Sequence, residues 1–187
     1  MGKMSNIGKD VNLYTPRQIR MSERTLEMFH RHFDRSKNTG IWFDVGAEDS
    51  YTRDVLRPYA RNMVTTNIDL DVDCLPWYDG IIQTVTSFEV LEHLYNPLFH
   101  LRELYRVMKP AATMYLTTPN DYSLIYKAEH LLSRKYTPHF HQFSERDLRN
   151  IMDEAGFKIR LLKKFRRGGS GTIARISRNG LFAIITK

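Results

Sequence analysis

Short apolar runs alternate with helix-forming stretches along the chain, and this order restricts the fold to few classes. Strand-like runs occur at residues 41–43, 63–68, 81–86 and 113–117. One helix is predicted from Ser50 toward Pro58, with Val55 and Leu56 facing inward. Another carries an amphipathic series that Pro110 stops: Leu98, Leu101, Leu104, Tyr105 and Met108. Strands that alternate with helices predict an α/β fold with a doubly wound, mostly parallel sheet.

Residues 1–38 are predicted to form a helical segment in front of this sheet. Thr15 and Pro16 are typical of an N-cap and a first helical residue, respectively. Three apolar residues then fall on one face of the helix: Leu26, Phe29 and Phe33. The segment ends near Gly40, just before the first strand.

The carboxy-terminal part adds one helix and two strands. Ser144 is placed to cap the helix, and Gly156 to end it. Strands are predicted at residues 157–165 and 181–186, joined by the glycine-rich, basic stretch 166–180. Because no crossover helix separates these two strands, they should pair as an antiparallel hairpin.

Length and composition favour one domain, residues 1–187, with a core over 39–187. A chain of 187 residues that is 42% hydrophobic can bury one substantial core and is short for two. Cys74 is the single cysteine, so an internal disulfide or a cysteine-based metal cluster is excluded. No apolar run reaches about 18 residues, and no signal-peptide pattern begins the sequence. We therefore expect no membrane association and a cytoplasmic location.

The net charge of +7 is concentrated near the carboxy terminus. No acidic residue follows Glu154, whereas nine basic residues do: Lys158, Arg160, Lys163, Lys164, Arg166, Arg167, Arg175, Arg178 and Lys187. Such a basic tail can attract phosphate, RNA or a small anion. It can equally be a solvated surface that keeps the protein in solution.

Ligands of doubly wound sheets bind beyond the carboxyl ends of the strands. The corresponding segments here are residues 44–50, 69–75, 87–93 and 118–121, and carboxylates are concentrated in the first three. A ligand held mainly by its phosphates would need amide donors and cations instead. The pattern suits a ligand with ribose hydroxyls and a positive charge.

Several motifs at these strand ends resemble the class I S-adenosylmethionine-dependent methyltransferases, of the small-molecule type with V-L-E-H after the fourth strand. They are Asp44-Val45-Gly46-Ala47, Asn67-Ile68-Asp69-Leu70, Val90-Leu91-Glu92-His93, Arg106-Val107-Met108-Lys109-Pro110 and His141-Gln142-Phe143-Ser144. The resemblance covers roughly residues 41–160 and implies a Rossmann-like fold with S-adenosylmethionine as cofactor.

The resemblance also implies roles for individual residues. Asp69 would bind the ribose hydroxyls, with a turn or a helix cap as its alternative role. Asp44 and Gly46 would lie beneath the methionine part of the cofactor. Phe88 would flank the sulfonium, although a core aromatic is an equal alternative. The implied cofactor-binding residues are Asp44, Val45, Gly46, Ala47, Glu48, Asp69, Leu70, Asp73, Cys74, Leu75, Ser87, Phe88 and His93.

Two of the departures from the family pattern bear directly on the cofactor site. Glu48 stands where the family usually has glycine, which either adds a direct contact to a positive ligand or signals lost binding. Only a few residues separate Asp69 from Leu75, so the third β/α unit is predicted to be shortened. The adenine side of the site depends on this shortened unit.

Methyl transfer needs alignment more than acid or base catalysis, since the cofactor carries its own leaving group. Alignment can lower a barrier by about 7 to 11 kcal/mol. If the acceptor must lose a proton, His139 and His141 are the candidate catalytic residues, with helix-entry packing as their alternative role. The spacing of histidines and carboxylates predicts no metal site.

The main hypothesis is an S-adenosylmethionine-dependent methyltransferase with a small acceptor, which could be anionic, and a lid insertion at residues 121–143. One alternative is an RNA methyltransferase that uses the basic tail. Another is a degenerate member of the fold that binds a ligand or partner without turnover. A nicotinamide-dependent enzyme is disfavoured, because G-x-G-x-x-G is absent.

Overall fold

The computed structural model describes residues 16–34, 40–46, 55–60, 62–120, 140–166 and 179–187. They contain a six-stranded sheet, with strands β1 (Ile41–Val45), β2 (Met63–Val64), β3 (Ile82–Phe88), β4 (Met108–Pro119), β5 (Lys158–Arg166) and β6 (Asn179–Thr186). The strand order is β2-β1-β3-β4-β6-β5. The first four strands pair in parallel, and β6 is antiparallel to both β4 and β5. The doubly wound sheet and its carboxy-terminal hairpin are thereby confirmed.

Helix α1 (Pro16–His32) packs on one face of the sheet through aromatic side chains. Leu26 and Phe29 are buried, as the helical spacing predicts. The ring of Phe29 lies 5.8 Å from that of Trp42 on β1 and 5.0 Å from that of Tyr115 on β4, measured between centroids. This aromatic cluster joins the amino-terminal helix to the strands that carry the site.

Helix α2 (Pro97–Val107) covers the opposite face with Leu101, Leu104 and Val107, all fully buried. Its start is capped by the side chain of Asn96, which accepts a hydrogen bond from the Phe99 amide at 3.2 Å. The helix ends at Val107, and β4 begins at once, five residues earlier than predicted. Pro110 therefore lies within the first residues of a strand, where a missing N–H is tolerated.

Helix α3 (Glu145–Glu154) begins with the predicted cap at Ser144. The Ser144 hydroxyl accepts from the Asp147 amide at 3.1 Å, and the Asp147 carboxylate accepts in return from the Ser144 amide at 3.0 Å, which forms a capping box. Leu148 and Met152 are buried beneath the helix. Ala155 is the C-cap residue, and Gly156 follows it with a positive φ.

The third β/α unit is shortened, as predicted. The chain makes no strand between Val64 and Ile82, a stretch that the structure describes without gaps. The strand predicted over residues 63–68 is wrong beyond Val64, because the backbone turns away from the sheet before Asp69. Among the described residues no strand lies beyond β2, which is therefore an edge strand of two residues.

Several predictions lie partly or wholly outside the described residues. They include the cap at Thr15, the start of the second predicted helix at Ser50, most of the insertion at 121–143 and most of the glycine-rich, basic stretch at 166–180. Val55 and Leu56, at the described end of that second helix, are buried as predicted. None of the described helices is long and apolar enough to cross a membrane.

Candidate functional site

The parallel strands bring three of the predicted segments to one edge of the sheet. In the register of β1 and β3, Asp44 pairs with Thr86 and Val45 with Ser87. On the other side of β3, Phe88 pairs with Thr117. The polar residues that end β1, β3 and β4 are therefore neighbours.

A hydrogen-bonded chain orients the carboxylate at the end of β1. Asp44 is only 2% exposed, and its Oδ1 accepts a hydrogen bond from the Thr86 hydroxyl. The same hydroxyl accepts from Trp42 Nε1 at 3.0 Å. Because hydrogen bonds in such a chain polarise one another, the two neighbours hold the Asp44 carboxylate in one orientation.

Gly46 allows the chain to turn at the end of β1. Its φ is +68°, in the left-handed region that glycine adopts most readily. A Cβ at this position would lie 3.1 Å from Cγ2 of Val90, in the loop after β3. The turn therefore rests on that loop, and any side chain here would push the two segments apart. The residues that follow, Ala47 and Glu48, lie outside the described residues.

Two hydroxyls are buried at this edge of the sheet. Ser87 is 1% exposed and Thr117 is fully buried. Neither side-chain oxygen has a hydrogen-bond partner in the part of the chain that the structure describes. A buried hydroxyl normally has a partner, so both groups are available to a polar ligand.

Phe88 lies at the border between the site and the aromatic cluster. Its ring meets that of Phe29 edge to face, with the centroids 6.1 Å apart. Phe88 therefore packs in the aromatic cluster, which is the alternative role predicted for it. The predicted contact with a sulfonium stays a prediction.

The segment after β2 forms a turn on the surface. The Asp69 backbone oxygen accepts from the Asp73 amide at 2.8 Å, and its Oδ1 accepts from the Asp71 amide at 3.0 Å. Asp73 Oδ2 accepts in return from the Asp69 amide at 3.1 Å. Cys74 is exposed, whereas Leu75 is buried in the core.

Glu92 links the loop after β3 to two other parts of the chain. It is 1% exposed, and its Oε2 accepts from the Thr118 hydroxyl at 3.1 Å. Its backbone oxygen accepts from the amides of Phe140 and His141, at 2.9 and 3.3 Å. The chain that returns after residue 139 is thus attached directly to this loop.

Two of the three histidines predicted for the site, His93 and His141, lie among the described residues. The His93 side chain is 41% exposed, with Nε2 3.9 Å from Glu92 Oε1. His141 Nε2 lies 3.3 Å from the Tyr95 backbone oxygen. His139 lies outside the described residues.

Sequence reasoning assigned no individual role to four residues of this edge, although Glu89 and Thr118 lie within the segments that it selected: Thr86, Glu89, Thr117 and Thr118. Glu89 has a φ of +59°, an uncommon conformation for a non-glycine residue that is often found at functional sites. Its neighbour Phe88 was recognised because of its aromatic ring. A lone threonine or glutamate near a strand end carries no comparable signal.

The pattern of the methyltransferase domain family matches residues 17–162 of this chain, which is most of its length. The chain belongs to this methyltransferase family. A curated relative, the probable S-adenosylmethionine-dependent methyltransferase of Mycolicibacterium smegmatis, is 26% identical over 85 residues. That alignment covers 46% of this chain and 32% of the relative, so the chain matches about a third of the relative's length.

Solved structures share the fold of this methyltransferase-family chain. A chain of the complex between the Haloferax volcanii Trm112 methyltransferase activator and a methyltransferase superposes with a TM-score of 0.69 at 15% identity, covering 91% of this chain and 92% of that chain. An S-adenosylmethionine-dependent methyltransferase of Thermotoga maritima, described as a possible histamine N-methyltransferase, gives 0.64 at 13%, covering 91% of each chain. The [4+2]-cyclase SpnF gives 0.60 at 14%, covering 89% of this chain and 80% of that chain. At these identities the similarity establishes the Rossmann-like fold alone.

Proposed function

We propose that this chain is an S-adenosylmethionine-dependent methyltransferase that transfers the methyl group to a small acceptor. The observation that carries the proposal is the turn at the end of β1. There, the oriented carboxylate of Asp44 is followed by Gly46 in a left-handed conformation, packed against the loop after β3. In a chain of the methyltransferase family, this turn is where the cofactor should bind.

The methionine part of the cofactor fits the ends of β1 and β3. Its ammonium group needs an anion, which the Asp44 carboxylate would supply by direct contact. Alternatively, Asp44 would act by orienting the turn. Its polar groups also need donors and acceptors, which the buried hydroxyls of Ser87 and Thr117 can provide. Gly46 keeps the space that a side chain would fill. Val45, Ala47, Glu48, Phe88 and His93 complete the proposed methionine side.

The adenosine part fits the segment after β2. Asp69 is exposed at the turn that follows this strand, so its carboxylate can accept hydrogen bonds from two ribose hydroxyls. Leu70, Asp73, Cys74 and Leu75 follow on the same segment and would border the adenine. The hydrogen bonds within this turn hold Asp69 and Asp73 in place before any ligand binds.

Bound S-adenosylmethionine would supply an activated methyl group and its own leaving group. The protein would then align the acceptor with the methyl carbon and exclude water. Among the described residues, His141 is the candidate to accept a proton from the acceptor, and its backbone is hydrogen-bonded to the loop after β3. His139 shares this proposed role.

We further propose that the acceptor is a small molecule and that a negative charge on it would be favoured. Four basic side chains of β5 are exposed: Lys158, Arg160, Lys163 and Lys164. One of them, Lys164, forms a salt bridge with Glu145, with Nζ 3.2 Å from Oε1.

The single-domain organisation, with residues 121–143 as a lid, is part of this proposal, and the cytoplasmic location stays a prediction.

Thermal unfolding with added cofactor tests the proposal. S-adenosylmethionine or S-adenosylhomocysteine at about 100 times its dissociation constant should stabilise the protein by roughly 2.7 kcal/mol. For a chain of this size the midpoint should rise by roughly 5 to 10 °C, and NAD should have no effect. No shift and no calorimetric binding with either sulfur compound would refute the proposal and favour a member of the fold that has lost its cofactor.

Transfer of labelled methyl groups from S-adenosylmethionine to a panel of small acids, amines and RNA then tests the reaction. Methylated small molecules support the proposal. Methylated RNA, with binding that weakens steeply as salt is added, would replace the small acceptor by RNA. The similarity to a cyclase fold makes this second step necessary, because cofactor binding alone does not establish methyl transfer.

A further inference from the structure

The segment at residues 69–80, which we call the connector, lies between β2 and β3 along the chain, where a third strand is missing. It has no sheet partner, since the chain forms no strand between Val64 and Ile82. Its internal backbone hydrogen bonds are few: Val72 and Asp73 donate to Asp69, and Trp77 donates to Leu75. A segment with so little regular structure needs support from outside if it is to hold a ligand in one geometry.

Arg106, near the end of α2, supplies much of that support. Its Nη2 donates to the Leu75 backbone oxygen at 2.9 Å. Its Nη1 donates to the Trp77 backbone oxygen at 2.9 Å and to Asp79 Oδ1 at 2.8 Å. One guanidinium group therefore binds three residues of the connector.

Glu103, one helical turn earlier, fixes the guanidinium group and also contacts the connector. Arg106 Nε donates to Glu103 Oε1 at 2.9 Å, and Nη2 donates to Oε2 at 2.7 Å, which is a bidentate pair. These hydrogen bonds hold the pKa of Glu103 below its ordinary value. The same Oε2 accepts from the Leu75 amide at 2.9 Å, so Leu75 is held at both its N–H and its C=O.

Further contacts support both halves of the connector. The Asn96 amide, at the start of α2, donates to Asp71 Oδ1 at 2.7 Å. The Trp77 ring meets the Phe43 ring of β1 edge to face, with centroids 4.5 Å apart. Helix α2 thus supports the connector along its length.

We propose that Arg106 and Glu103 are positioning residues that set the affinity for the adenosine half of the cofactor. They act through Leu75 and its neighbours and do not themselves contact the cofactor. The inference rests on the proposed function, because it places the adenine beside Asp73, Cys74 and Leu75. Lysine cannot replace Arg106, since a single ammonium group cannot reproduce the planar, bidentate fork and reach all three connector residues.

The test compares Arg106→Lys and Arg106→Gln with Arg102→Lys on the same helix. Arg102 is a matched control, because its side chain is 60% exposed and its Nη2 lies 3.7 Å from Glu154 Oε1, longer than a hydrogen bond. Calorimetry gives the dissociation constants of S-adenosylhomocysteine and of adenosine, and thermal unfolding gives the midpoint of each variant. We expect both Arg106 variants to bind the two ligands about tenfold more weakly or worse, and Arg102→Lys to bind as the wild type does.

The two ligands should lose affinity by similar factors, because adenosine is the half that they share. Wild-type dissociation constants in folded Arg106 variants would overturn the inference even if their midpoints fall, since that is the result of a purely structural role. A weaker S-adenosylhomocysteine constant with unchanged adenosine binding would overturn it as well. If neither Arg106 variant folds, Glu103→Gln is the second variant, with a loss of about threefold or more expected and wild-type affinity contradicting the inference. Failure of the wild type to bind S-adenosylhomocysteine would refute the proposed function instead.

Discussion

The two halves of the proposed cofactor site are held in different ways. The methionine end, formed by Asp44, Gly46 and Ser87, lies on strands whose backbones are fixed by parallel pairing. The adenosine end is the connector, which is held by side chains of α2. A change at the methionine end should therefore affect binding directly, whereas the adenosine end can be disturbed from a helix that does not touch the ligand.

The largest expected effect is the loss of stability in acid that is caused by His100 on the inner face of α2. Burial lowers its pKa from 6.5 to about 4, although Asp71 and Glu103 oppose the shift. Between these two pH values the unfolded chain binds a proton that the folded chain excludes, so stability falls as the pH falls. The loss should reach about 3 kcal/mol, at roughly 1.36 kcal/mol per pH unit.

Urea unfolding at pH 7, 6, 5 and 4 measures this effect in the wild type and in His100→Leu. The variant should lose markedly less stability than the wild type over that range. Equal losses in both proteins would mean that His100 is not the group responsible. Hydrogen exchange at pH 5 should also show the connector opening before β1 and β3, because the connector is held by side chains of α2, whereas β1 and β3 are also held by backbone pairing.

The next largest effect is expected from Asp44→Asn, which keeps the shape of the side chain but removes its charge. Because charge-assisted hydrogen bonds contribute about 1.5 to 3 kcal/mol, the affinity for S-adenosylhomocysteine should fall roughly 10- to 100-fold. Asp69→Asn is the matched change at the adenosine end and should weaken binding of adenosine as well. Wild-type affinity in Asp44→Asn would show that the charge of this carboxylate does not contribute to cofactor binding.

Two glycines with similar backbone conformations allow the effect of backbone strain to be separated from the effect of a contact made by an added Cβ. Gly46 and Gly80 have φ values of +68° and +66°, so alanine at either position should cost about 1 to 2 kcal/mol of stability. At Gly46 the new Cβ meets Cγ2 of Val90 at 3.1 Å, whereas at Gly80 no atom of the described residues lies within 4 Å. Calorimetry should show that Gly46→Ala loses S-adenosylhomocysteine binding, and that Gly80→Ala, at the far end of the connector from Asp69, loses much less of it. Equal binding in the two variants would contradict the proposed cradle at Gly46.

The smallest effect should come from Ser87→Ala. Its hydroxyl has no hydrogen-bond partner among the described residues, so its removal should change the free energy of unfolding by less than about 0.5 kcal/mol. If the hydroxyl serves the cofactor, the S-adenosylhomocysteine constant should rise about three- to tenfold in a protein of normal stability. A loss of stability without a change in affinity would assign Ser87 to the fold alone.

What could be predicted from the sequence depended on whether the signal was local. The alternation of strands and helices and the cap at Ser144 are local patterns, and the structure confirms them. Asp44 and Gly46 were predicted as site residues because they lie at the end of a predicted strand, and the structure places Asp44 within β1 and Gly46 in the turn that follows it. The shortened third unit was found because too few residues separate Asp69 from Leu75.

The missed features join residues that are far apart in the sequence. Thr86 binds Asp44 across 42 residues, Thr118 binds Glu92 across 26, and Arg106 binds Leu75 across 31. Such pairs follow from strand register and from helix packing, which a single sequence does not specify. The length of β4 was underestimated for a related reason, since its pairing with Ile82 draws Met108 into the strand despite Pro110.

Hydrogen exchange with and without S-adenosylhomocysteine tests the central claim, that one cofactor bridges these two ends of the site. Saturating S-adenosylhomocysteine should slow exchange both at residues 44–46 and 87–93 and in the connector at residues 69–80, whereas NAD should change neither. Bound ligand that protects neither region, or that protects only residues elsewhere in the chain, would contradict the account.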